Sequence, residues 1–175
     1  MSLAAMILST VILTTPRQDA SMYAPPVEMK QVEFMLGNWQ SDGVGMGMDG
    51  KESKIKGSAV ASMVIGGRYL EWKTDDNMEG FGKMNGEFKL TYNTMLSKWE
   101  GVWFDSMSPN SMRAYGTLKD GVLDMTSEEV NMPEMGKMKF NILYKKITDK
   151  KIDLVVSAIV GDLKVPAVTY HYTKN

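Results

Sequence analysis

The chain has 175 residues, 43% hydrophobic and 23% charged, with a formal net charge of −1 at neutral pH. That length supports one domain with a sizeable core, and the balanced charge gives no electrostatic basis for binding nucleic acid or an anionic membrane. Cysteine is absent and histidine occurs once, which excludes disulfides, a cysteine nucleophile and the multi-histidine zinc sites; no resident metal or cofactor is expected.

At the N-terminus an apolar run extends from Ala4 to Thr14. It is too short to cross a bilayer as a helix, so stable membrane insertion is not expected. It has the length of a signal-peptide core, with Ala20-Ser21 and Ala24-Pro25 as candidate processing sites. The expectation is a periplasmic or secreted protein with a leader remnant and linker over residues 1–26. No Lys or Arg precedes Arg17, and this leaves a short buried helix in a cytoplasmic protein as the alternative. Pro25-Pro26 disfavours both helix and strand ladder, so the folded domain is placed at residues 27–175. Met29, Val32 and Leu36 then recur at helical spacing, with Pro26 in the first turn and Gly37 as the stop. A short helix of about two turns is expected, closing the mouth of whatever follows.

From Asn38 onward, period-two segments alternate with turn signals. Phe88, Leu90 and Tyr92 share a face, as do Met112, Ala114, Gly116 and Leu118. Met138, Phe140, Ile142 and Tyr144 form another, and Ile152, Leu154, Val156, Ala158 and Val160 a fourth. Breaks are expected at Asp49-Gly50, Gly66-Gly67, Asn85-Gly86, Asp120-Gly121, Asp149-Lys150 and Gly161-Asp162. About ten strands result, with no long helix among them. An antiparallel meander of that size closes to remove its edges, giving an all-β, closed, up-and-down barrel. Such a barrel has more interior than its own side chains fill, so a ligand cavity is expected.

Gly37-x-Trp39, after a helical plug, resembles the start of the lipocalin-like (calycin) barrels. The chain also resembles the DUF1579 family of that superfamily. The resemblance rests on Leu36-Gly37-Asn38-Trp39, Ile65-Gly66-Gly67-Arg68-Tyr69-Leu70, Phe81-Gly82 with Leu90-Thr91-Tyr92-Asn93, and Trp103-Phe104-Asp105-Ser106-Met107. It implies a β-barrel and supplies no catalytic residue; Thr91-Tyr92-Asn93 replaces the family's usual Gly-Tyr-Asp. The first strand, Leu36 to Gly45, is similar to that of the nitrobindins. That similarity implies haem held by a C-terminal histidine, for which His171 is the sole candidate.

The 17 methionines suit an adaptable core or cavity lining. The alternative is thioether coordination of Cu(I), through Met46-Gly47-Met48 and the methionines of 132–138. Ligand contact is assigned to Trp72, Tyr92, Trp99, Trp103, Asp105 and Arg113. The face Trp99–Gly101–Trp103–Asp105 is placed inward, Gly101 leaving room and Arg113 reaching Asp105 across a hairpin. Asp75-Asp76 and Glu128-Glu129 read as polar loops. Gly43-Val44-Gly45 precedes no helix, so it does not bind phosphate. The function expected is non-catalytic binding of a small hydrophobic or amphipathic molecule. The rivals are a haem protein, a copper protein, and an enzyme using Asp105 with a Tyr and an Arg.

Overall fold

A computed structural model describes residues 24–46, 50–132 and 136–175. The apolar run over 4–14, Met48 and Met135 lie outside the described residues, so the export and copper expectations that rest on them do too. The chain enters the fold through a 3-10 helix, Val27–Met35, flanked by Pro26 as its N-cap. Met29, Val32 and Met35 are its buried residues. That spacing of three is the 3-10 repeat, and it replaces the expected series through Leu36, which is already extended. Gly37 follows at φ +119, where glycine carries no steric penalty.

Trp39 is fully buried behind this helix. Its Nε1 donates to the Met35 carbonyl at 2.8 Å, and its ring lies 5.9 Å from that of Trp72. The helix is thereby fastened as a plug in one end of the barrel, and Lys174 places its ammonium 5.2 Å over the Trp39 ring.

The strands are β1 (Gly37–Met46), β2 (Glu52–Val64), β3 (Tyr69–Met78), β4 (Gly82–Asn93), β5 (Lys98–Asp105) and β6 (Met112–Lys119), then β7 (Val122–Ser127), β8 (Val130–Met132), β9 (Gly136–Thr148), β10 (Lys151–Val160) and β11 (Leu163–Lys174). Around the wall each strand pairs antiparallel with the next, except that β7 skips β8 to pair with β9, and β11 returns to pair with β1. The result is a closed ten-stranded antiparallel barrel with one extra strand. The extra strand is β8, which pairs with Gly136–Met138 of β9 just beyond the stretch that β7 uses. Ser127 joins the two pieces: its hydroxyl accepts the Phe140 amide at 2.8 Å and donates to the Glu128 carbonyl at 2.7 Å.

Two turn assignments change. Asn85-Gly86 lies inside β4, and the β3–β4 turn falls instead at residues 79–81, with Gly80 at φ +83. Gly86 is small for another reason: a Cβ there would overlap the Trp103 ring and stand 2.8 Å from Thr74 Oγ1. Asp75-Asp76 is not a loop but part of β3. The plugged end holds the β2–β3, β4–β5, β6–β7 and β9–β10 turns; among the described connections, β3–β4, β5–β6, β7–β8 and β10–β11 lie at the open end.

Candidate functional site

Along β3 the inward positions are Leu70, Trp72, Thr74 and Asp76, all buried, as period-two alternation requires. Asp76 therefore carries a carboxylate into the interior, where it is 1% exposed. Small residues on neighbouring strands make the space. Gly57 is its partner on β2, and a Cβ at that position would collide with the carboxylate. A Cβ on Gly43 of β1 would collide with the Thr169 carbonyl of β11 and crowd the Tyr170 ring beside it. Across the gap, Ser41 Oγ donates to Asp76 Oδ1 at 3.0 Å and Tyr170 Oη donates to Oδ2 at 3.3 Å.

Burial pushes the Asp76 carboxyl above its ordinary range, against the opposing effect of Ser41, Tyr170 and Thr74; the adjacent Asp75 charge adds to the rise. Burial also raises Tyr144, Tyr170 and Tyr172, so all three phenols stay protonated as neutral donors. Beside the carboxylate, Thr74 Oγ1 is buried; it makes no close hydrogen bond but lies near enough to help hold the Asp76 charge. A buried polar atom without close partners is costly, and Oγ1 lies against the backbone of Gly86 on the next strand.

Thr74 and Asp76 line a cavity of about 210 Å³ between the packed floor and the open end. For scale, an engineered apolar cavity of about 150 Å³ takes up benzene. Phe88, Tyr144, Leu154, Tyr170 and Tyr172 form its buried inner wall. Met78, Met84, Trp103, Met112, Val156 and Val168, all only partly buried, form the rim. Three flexible thioethers at the entrance match the adaptable lining expected of the methionines.

Of the six residues assigned from sequence, Trp103 and Asp105 line this cavity. The Asp105 carboxylate is committed to its own turn: Oδ2 accepts Trp103 Nε1 at 2.8 Å, and Oδ1 accepts the Met107 and Ser108 amides at 2.8 and 2.7 Å. Trp72 lies deeper, fully buried, with its ring edge-on to Tyr172 at 5.0 Å. Trp99 packs edge-on to Tyr92 at 5.6 Å, near the plugged end and away from the cavity. Gly101 leaves no pocket, because the Phe88 ring and Met125 occupy the space beside it.

Arg113 does not reach Asp105. It pairs in register with Val102, on the opposite face of the sheet, where it meets Glu100 at 3.4 Å on the outer surface. His171 also faces outward: Tyr170 and Tyr172 on either side point in, and its Nδ1 lies 2.7 Å from Asp153 Oδ1. An axial haem ligand inside the barrel is therefore not available from His171. Sequence reasoning missed Asp76, Thr74, Ser41 and Tyr170. The alternation from Leu70 through Trp72 and Thr74 would have carried Asp76 inward.

The family described as "Protein of unknown function (DUF1579)" matches residues 25–173. Among solved structures, the chain is similar to Rv2717c from M. tuberculosis, with a TM-score of 0.64 at 12% identity, covering 86% of this chain and 99% of that one. It is similar as well to an S-type phycobiliprotein lyase, CPES, from Guillardia theta, with a TM-score of 0.55 at 9% identity, covering 86% and 98%. No curated protein sequence matches significantly.

Proposed function

The chain belongs to the DUF1579 family, and on that premise we propose that it binds, without chemistry, a small molecule with an apolar body and one polar head inside the barrel. One observation carries this reading. The buried Asp76 carboxylate, with Thr74 beside it, stands on the wall of a largely apolar cavity. A ligand's head group would satisfy those atoms, and its body would take the aromatic and methionine wall. A phycobiliprotein lyase of the same fold is consistent with a barrel that handles small molecules.

The test uses the neutral fluorophore N-phenyl-1-naphthylamine. The wild-type protein is expected to raise its emission with one-to-one stoichiometry. Val156→Trp, which fills the rim, is expected to weaken uptake about tenfold or more while the circular dichroism melt stays cooperative. Uptake by the variant equal to wild type would place the probe elsewhere and overturn the reading.

A further inference from the structure

The cavity has a polar bias that its apolar walls do not predict. Two carboxylates, Asp76 and Asp105, line it, and no Lys, Arg or His does among the described residues. Asp76 receives hydrogen bonds from two neutral hydroxyls and has no cationic partner among the described residues. Burying a carboxylate on such terms is expensive, and a cation placed against it would recover the electrostatic cost. Five aromatic side chains surround the same space: Phe88, Trp103, Tyr144, Tyr170 and Tyr172. Ring faces attract organic cations, most strongly where water is excluded. A carboxylate- or phosphate-headed ligand meets the opposite situation, with like charge at both acidic positions and no basic group to offset it.

Resting on the proposed interior site, we infer that the ligand is an organic ammonium: an aromatic or aliphatic amine of about one fused bicycle in size, its charge held by Asp76 and Thr74 among the rings. Fatty acids and acidic metabolites are excluded as cognate ligands by the same charges. Asp105, whose oxygens already accept three hydrogen bonds, contributes long-range attraction at the rim.

Isothermal titration with three ligands that share an indole body separates the head from the cavity. Tryptamine carries an ammonium, tryptophol a neutral hydroxyl and indole-3-acetate a carboxylate. At pH 7 tryptamine is expected to bind about tenfold tighter than tryptophol, with indole-3-acetate weaker than both. Asp76→Asn, of nearly the same shape, is expected to bring tryptamine down to the affinity of tryptophol without changing the latter. Tyr170→Phe keeps the charge and removes one hydrogen bond, so it retains the preference for tryptamine. Equal affinities for tryptamine and tryptophol, or preferred binding of indole-3-acetate, would overturn the inference and leave the cavity reading standing. Failure of all three indoles together with N-phenyl-1-naphthylamine would overturn both.

Discussion

Asp76 is held in the barrel by Ser41 and Tyr170, and burial raises its pKa above the ordinary carboxylate value. The native state therefore binds a proton more readily than the unfolded chain does. Stability falls as pH rises from the unfolded value through the raised native one, and the penalty is complete above it. A residue that lowers stability where the protein is folded is one that function explains better than packing does. Asp76→Asn is accordingly expected to match or exceed the wild-type melting temperature at pH 7, by a few degrees for a gain of about 0.5–2 kcal/mol. The advantage should shrink as pH falls through the raised native value and vanish below about pH 3, where the carboxyl is protonated in both states. Melts followed by circular dichroism across that range check it; a variant several degrees less stable at pH 7 would show that the ionised carboxylate stabilises the fold. Asp76 was hard to read from sequence because two adjacent acids resemble a loop. The glycine opposite, Gly57, carries no mark of the side chain it makes room for.

Each strand follows its alternation of apolar and polar residues, and the places where the reading failed have local causes. Asn85-Gly86 has the composition of a hairpin turn, yet it lies within β4 because the Trp103 ring needs the space a side chain would fill. Gly86→Val should therefore force Trp103 from the rim, at a cost of about 1–3 kcal/mol. Chemical denaturation measures the loss, and a red-shifted tryptophan emission would report the moved indole. An unchanged midpoint and spectrum would mean that Trp103 has slack the structure does not show. The N-terminal helix was legible as an element and not in its pitch, since Met29 and Val32 fit a repeat of three or of three and a half equally well. Arg113 was misplaced for a register reason. The six residues between β5 and β6 leave the pairing open, and a shift of one position exchanges the faces of a strand. The Val102–Arg113 pairing sends Arg113 outward.

Closure of the whole barrel was legible from strand number, turn spacing and the plug before Trp39, because those features act over the full chain and tolerate local error. The division of the interior into a packed floor and an open cavity was not. It depends on which inward positions are large, and on the glycines at 43, 57 and 86 that let Tyr170, Asp76 and Trp103 lie where they do. Taken together, the molecule is a plugged cup: a helix seals one end, aromatic rings fill the base, and a methionine-rimmed cavity with a buried carboxylate opens at the other. The central claim is that a ligand enters that cavity. Methionine methyl groups report on it directly, because Met78, Met84 and Met112 line the rim while Met95, 93% exposed, and Met107 lie outside. In protein labelled with carbon-13 at methionine methyls, titration with tryptophol is predicted to shift the Met78, Met84 and Met112 resonances and leave Met95 and Met107 in place. Shifts confined to Met95 or Met107, or none at saturating ligand, would contradict an interior binding site.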